Sequence, residues 1–248
     1  MKTITVVQAR MSSTRLPNKI LLPLGESSLF KMLRTRIENA NHDEIWLATT
    51  TKKEDDLLVQ IASEWGWKIF RGKVEDVLSR FESIIDVTNP DLVVRVTGDN
   101  PLVDKYAINE LIQIIKKNIH QFSYVSDFIP ARYPLGYFPE IIKASRLSLI
   151  RKEIEKSEFF HLSHVTSKIV ELGKDLGEIN ESKNFPYFPN ARWTIDYPLD
   201  FEFITQLNSL SDGSLVDMQY LEICNLIKKN PFVAKINTDI KQKNIEMG

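Results

Sequence analysis

Between residues 3 and 115 the chain alternates short β-branched runs with longer stretches of helical period, and this rhythm limits the fold more than any other feature. Thr3 to Ala9, Glu44 to Thr50, Trp67 to Phe70 and Asp91 to Thr97 read as buried strands, rich in Val, Ile and Thr. Helical spacing lies between them. Ser27-Ser28 precede Leu29, Phe30, Leu33 and Ile37, with a serine N-cap. Thr51 and Glu54 have the spacing of a capping box ahead of Leu57, Leu58, Ile61, Ala62 and Trp65. Val77, Leu78, Phe81, Ile84 and Ile85 mark a third helix, and Tyr106, Ile108, Leu111, Ile112 and Ile115 a fourth, after the turn Gly98-Asp99-Asn100-Pro101. Strands separated by helices predict βαβ units, right-handed crossovers and an α/β fold with a mainly parallel sheet.

From about residue 122 the rhythm breaks. Tyr, Pro and Phe cluster at 128–139 and again at 185–189, which predicts an inserted lid or dimerisation subdomain over about 122–190, with one or two helices between Ala144 and Leu172. A strand is expected again at Arg192 to Asp196, then helices from Pro198 and Asp217. The 248 residues fit one large domain, here 1–237, followed by a polar tail at 238–248 that is expected to fray.

Composition narrows the function. The net charge of -1 gives no basic field for nucleic acid. No apolar run reaches the roughly 18 residues of a membrane span. The chain enters its first strand at once, so a cytoplasmic location is expected. The single cysteine, Cys224, allows no internal disulfide and lies in an apolar helical pattern, as a core residue would. Charge is nevertheless uneven. Residues 1–40 carry seven Lys and Arg against two acids, a local balance of +5. That cluster suits either a small anionic ligand or a basic solvated face.

Open α/β sheets bind ligands beyond the carboxyl ends of their strands. There, after the first strand, stands Gln8-Ala9-Arg10-Met11-Ser12-Ser13-Thr14-Arg15-Leu16-Pro17-Asn18-Lys19. Its three cations and three hydroxyls match neither a dinucleotide fingerprint nor a P-loop. They suit a nucleoside triphosphate, a compact polyanion, or else an ordinary surface loop. Asp99, past the end of the Asp91–Thr97 strand, is placed either to bind Mg²⁺ or to cap the next helix. Asp196 ends the strand expected at Arg192, and Asp200 suits the first turn of a helix from Pro198. His42, His120, His161 and His164 form no zinc-binding spacing. With no evident nucleophile, the chain suits direct nucleotidyl transfer, in which the protein positions reactants and stabilises charge.

Residues 8–19 resemble the N-terminal signature of the cytidylyltransferases that activate acidic sugars, the acylneuraminate and 3-deoxy-manno-octulosonate enzymes, and most of all the spore-coat polysaccharide branch. Three more segments agree in order: Arg71-Gly72 with residues 76–81, then Arg95 to Asp104, then Arg192 to Asp196 with Pro198 to Asp200. The resemblance spans about residues 1–210. It implies a Rossmann-like nucleotidyltransferase fold, CTP as donor, Mg²⁺ as cofactor and a homodimer. By it, Arg10, Arg15 and Lys19 hold the triphosphate and, with Asp99, form the catalytic set. Gln8, Ala9, Arg71, Thr97 and Gly98 line the nucleotide, Asp99 and Asp196 hold the metal, and Gly136, His164 and Arg192 face the acceptor. Ser12 and Asn18 stand where glycine is common in the family, and Leu135 where an acid is expected. The implied reaction is transfer of CMP from CTP to a small acidic or phosphorylated acceptor, with release of pyrophosphate, in surface polysaccharide or glycan synthesis. The alternatives are another nucleotide or a phosphorylated non-sugar acceptor, or a nucleotide-binding module that has lost catalysis.

Overall fold

A computed structural model describes residues 1–127, 132–178 and 191–241. The four strands expected between residues 3 and 97 form, with shifts of a residue or two at their ends. In chain order they are β1 (Thr3–Gln8), the small hairpin β2 (Pro23–Leu24) and β3 (Ser27–Ser28), then α1 (Leu29–Ile37), β4 (Glu44–Thr50), α2 (Asp56–Glu64), β5 (Lys68–Gly72), α3 (Val77–Thr88), β6 (Leu92–Thr97) and α4 (Lys105–Lys117). Caps set the helix starts. Ser28 accepts from the Lys31 amide, Asp76 from Ser79, and Asp104 from Tyr106 and Ala107. The capping box expected at Thr51 and Glu54 does not form. A 3₁₀ turn covers Lys53–Asp55 and α2 starts only at Asp56, because the Asp55 carboxylate is turned inward.

β5, β4, β1 and β6 are parallel neighbours in that order. β1 pairs with β4 on one side and β6 on the other, so the chain reverses its direction of travel across the sheet between β1 and β6. Their carboxyl ends therefore open a crevice for ligand. The inner strands β1, β4 and β6 are buried on both faces, which is why they read as nearly continuous apolar runs. Ile4, Val6, Trp46, Ala48 and Val93 face a core built with α3, while Val7, Leu47, Val94 and Val96 face a larger core with α1, α2 and α4.

The segment expected as an insertion extends this same sheet. It supplies β7 (Tyr124–Ser126), β8 (Glu140–Lys143), α5 (Ala144–Ile150), α6 (Phe160–His164), α7 (Ser167–Leu172) and β9 (Leu176–Glu178). β8 lies antiparallel to β6, β7 antiparallel to β8, and β9 parallel to β7. The helices number three where one or two were expected. Phe185–Pro189 lies outside the described residues, as does the tail beyond residue 241.

The strand expected at Arg192–Asp196 is replaced by a crossing segment. It touches the loop before β8 at one bridge, Leu135 to Arg192, and the Ile195 amide donates to the Asp99 carbonyl. The place beside β6 is already held by β8, so the apolar pattern of Trp193 and Ile195 reports burial and not a ladder. α8 (Pro198–Leu210) and α9 (Tyr220–Lys229) complete the larger core, with Cys224 buried in it.

Candidate active site

The crevice is built first by close backbone approach. The Gly98 amide donates to the Gln8 carbonyl at 2.8 Å. A methyl group on Gly98 would lie 2.9 Å from the Ala9 Cβ and 2.5 Å from the Ile20 Cδ1, so only glycine lets the two loops meet here. Gly98 and Ala9 therefore shape the site by contact with each other. The 8–19 loop is held from behind by Asp55. Its buried carboxylate accepts from the Met11 amide at 2.7 Å and from the Thr50 amide at 3.1 Å, and it also takes the Thr50 hydroxyl. Sequence reading missed Asp55, although an acid soon after the strand-ending Thr49-Thr50 pair was a usable signal. Asn18 has φ 56°, the left-handed conformation that asparagine tolerates better than most residues, so it can do there what glycine does.

Lys19 follows at once and reaches the centre. Its Nζ lies 2.7 Å from Asp99 Oδ2 and 2.9 Å from Asp196 Oδ1. Arg15 Nη2 is 2.9 Å from the same Asp196 oxygen, and its guanidinium lies over the Tyr197 ring. Two carboxylates from distant parts of the chain thus converge on one cation. Burial alone would lift the Asp99 carboxyl, but the Lys19 ammonium and the Thr97 side chain hold it below the usual carboxylate range. Burial works against the charge on Lys19 too, and Asp99 and Asp196 outweigh it and raise its pKa. Arg15 is likewise raised, by Tyr197 and Asp196 against burial.

Behind Asp196, Arg192 and Asp200 form a buried pair, with Arg192 Nε and Nη2 each 3.1 Å from the carboxylate. Asp200 also accepts from the amides of Asp196 and Tyr197 and from Asn237 Nδ2. It sits in the first turn of α8, where the helix dipole suits it. Arg192, assigned by resemblance to the acceptor, is 6% exposed and spends these donors on Asp200. Its position is that of a brace for Asp196. Gly136, assigned likewise, has φ +95°, and a methyl group there would lie 2.7 Å from the Thr194 amide nitrogen and 2.8 Å from Asn100 Oδ1. It is the point where the 132–138 loop passes under the 192–196 segment. Tyr137, Trp193 and Tyr220 pack around that crossing.

The remaining predicted residues spread around the centre. Arg10 is exposed and, among the described residues, has no ion-pair or hydrogen-bond partner, so its charge is open to a ligand. Arg71 is engaged with the carbonyls of Thr50 and Lys52 and with Asp56, at 2.6–2.8 Å, and ties β5 to the loop after β4. Arg80, which sequence reading did not single out, is buried and donates to the carbonyls of Lys73 and Val74. Burial and the nearby Arg10 charge lower its pKa.

On the other flank, the Gln8 side chain accepts from Arg95 Nε, Arg95 pairs with Glu140 at 2.8 Å, and Thr166 donates to the same Glu140 oxygen at 2.9 Å. His164 stands beside this chain, its pKa lowered by burial and by the positive charge of Arg95. Val165 between His164 and Thr166 has φ 52° and ψ -56°, with the Thr166 amide donating to the His164 carbonyl, a strained γ-turn at a β-branched residue. Neither Arg95 nor Glu140 was assigned a role from sequence, because Arg95 stands inside an expected strand and Glu140 inside the segment expected as an insertion.

The cytidylyltransferase family model matches residues 4–221. The spore coat polysaccharide biosynthesis protein SpsF of Bacillus subtilis is 33% identical over 236 residues, covering 92% of this chain and 95% of SpsF. An 8-amino-3,8-dideoxy-manno-octulosonate cytidylyltransferase of Shewanella sp. is 24% identical over 230 residues, 90% of this chain and 84% of its own length. The solved structure of a cytidylyltransferase from Leptospira borgpetersenii superposes with a TM-score of 0.86 at 25% identity, covering 98% of this chain and all of that one. The chain belongs to the cytidylyltransferase family.

Proposed function

We propose that this chain transfers CMP from CTP to an acidic sugar or sugar-like acceptor, releasing pyrophosphate, as a step in building a surface polysaccharide or glycan. The observation that carries the reading is the meeting of Arg15 and Lys19 with Asp99 and Asp196 at the carboxyl ends of β1 and β6. The polysaccharide role draws on SpsF, and the acidic-sugar acceptor on the manno-octulosonate relative.

An acceptor oxygen attacks the α-phosphorus of CTP, the bond to the β-phosphate oxygen breaks, and pyrophosphate leaves. Arg10, Arg15 and Lys19 bind the β- and γ-phosphates and stabilise the charge that grows on the leaving group. The acceptor's proton passes to a carboxylate of the site or to water. Asp99 and Asp196 would hold Mg²⁺. The fit is good, because their oxygens already converge on one cation and both are hard ligands. A Mg²⁺ ion held by these two carboxylates would supply positive charge that lowers the cost of the negative charge developing on the phosphates. Arg192 and Asp200 keep Asp196 in place, and Gln8, Arg95, Glu140 and Thr166 form a fixed polar wall beside His164 on the acceptor side.

The protein is proposed to act as a cytoplasmic homodimer, which light scattering tests. Among the described residues, no helix is long and apolar enough to cross a membrane. The donor is tested by thermal unfolding with CTP, UTP, GTP and ATP, each with and without Mg²⁺. A ligand at about 100 times its Kd stabilises by roughly 2.7 kcal/mol. The expected result is a midpoint shift selective for CTP and larger with Mg²⁺, followed by pyrophosphate release on adding an acidic sugar. Equal shifts with all four nucleotides would overturn the CTP assignment.

A further inference from the structure

The Lys19 ammonium stands between the two carboxylates that the reading above assigns to the metal, 2.7 Å from Asp99 and 2.9 Å from Asp196. Its side chain is only 13% exposed, and Arg15 adds a second cation on the same Asp196 oxygen. The same two side chains, together with Arg10, are the ones that the reading above assigns to the triphosphate. An ammonium held between two carboxylates at contact distance leaves no room for a divalent cation on those oxygens, and its charge repels one. A triphosphate offers it several new anionic oxygens.

We propose that Lys19, assisted by Arg15, is the resident counter-ion of Asp99 and Asp196, and that CTP opens the metal carboxylates by drawing these cations onto its phosphates. Nucleotide and metal then bind with positive coupling through Lys19. The metal alone competes with the ammonium, and the nucleotide removes the competitor. By linkage the metal strengthens nucleotide binding by the same factor. The inference rests on the proposed roles of Asp99 and Asp196 as metal carboxylates and of Lys19 as a phosphate ligand. The direct ion pairs supply its geometry.

Mn²⁺ is the probe, followed by its electron paramagnetic resonance signal on the full chain, with a protein-free Mn²⁺–CTP titration subtracted. In wild type, CTP is expected to tighten Mn²⁺ binding at the protein about 5- to 150-fold, the usual range of coupling between sites. In Lys19→Met the counter-ion is gone. Mn²⁺ without nucleotide should bind at least about tenfold tighter than to wild type, and the further gain from CTP should shrink. Mn²⁺ should also raise the unfolding temperature of nucleotide-free Lys19→Met more than that of wild type. If wild type binds Mn²⁺ as tightly without CTP as with it, the coupling is refuted without reference to any variant, and the metal assignment stands. Equal nucleotide-free affinity in wild type and a folded Lys19→Met also overturns the counter-ion role. If neither protein binds Mn²⁺ even with CTP, the metal assignment itself falls and takes the proposal with it.

Discussion

Replacing Gly136 with alanine tests how the site is assembled. Two costs are predicted from the structure. The residue has φ +95°, where a side chain is strained by about 1–3 kcal/mol. The new methyl would also stand 2.7 Å from the Thr194 nitrogen and 3.0 Å from its Cα, backbone atoms that cannot rotate aside, and such overpacking costs about 1–3 kcal/mol. Together they predict a loss of about 2–6 kcal/mol, and a loss near 3 kcal/mol lowers the unfolding midpoint by roughly 6–12 °C for a chain of this size. The strain falls on the segment that carries Asp196, two residues beyond Thr194. A displacement of about 1 Å there lowers turnover about a hundredfold. Gly66 provides the control. It too has positive φ, +77°, but a methyl there meets nothing within 4 Å. Gly66→Ala should lose only about 1–2 kcal/mol and keep its activity. Urea unfolding and CTP-dependent pyrophosphate release measure both variants. If Gly136→Ala unfolds within about 0.5 kcal/mol of Gly66→Ala and keeps wild-type turnover, the crossing does not depend on close contact at Gly136.

Three other outcomes are expected. Asp99→Asn should fold normally yet lose turnover about 10²–10³-fold, since a charge facing the reacting phosphates is gone; near-normal turnover with unchanged Mg²⁺ dependence would remove Asp99 from the site. Asp200→Ala takes from the buried Arg192 guanidinium its two 3.1 Å contacts and from the Asp196 and Tyr197 amides their acceptor, and should cost about 3–5 kcal/mol in urea unfolding, whereas a loss under about 1 kcal/mol would show that the Asp196 carboxylate, 3.6 Å from Arg192, takes over the pairing. Burial pushes the half-buried Asp127 carboxyl up to about 6 from 3.8. The folded state then holds its proton longer than the unfolded chain does, so stability is full below about pH 4 and falls as pH rises to about 6. The loss is at most about 3 kcal/mol, and Asp127→Asn should flatten it in urea titrations over that range.

Much of the fold was legible because it is local. β1, β4 and β6 are buried on both faces, so each announces itself as an apolar β-branched run, and Ser28 caps α1 where the pattern placed it. The cations of residues 10–19 and the acid Asp99 stood next to predicted strand ends, and strand ends of open parallel sheets are where ligands bind. The sequence reading failed where partners come from afar. Thr51 and Glu54 have the right spacing for a cap, but Asp55 is drawn inward by the Met11 and Thr50 amides, and the helix starts later. Residues 192–196 alternate like a strand, yet β8 occupies the edge they would have joined. Residues 122–190 are expected as an insertion because Tyr, Pro and Phe break the rhythm, and among the described ones β7, β8 and β9 extend the one sheet.

The sequence by itself determined the α/β architecture, the crevice beyond β1 and β6, and the kinds of charge gathered there, since each follows from patterns only a few residues long. Only the tertiary structure decided which charges meet. Asp196 reaches Lys19 across 177 residues of chain, through a crossing at Gly136 and a brace from Arg192 and Asp200. It also decided that Arg192 faces inward, that Asn18 takes a left-handed turn, and that Arg95 and Glu140 form a buried pair. Such contacts depend on packing between segments distant in sequence, where burial and geometry select the partners and local residue preference carries no record of the choice.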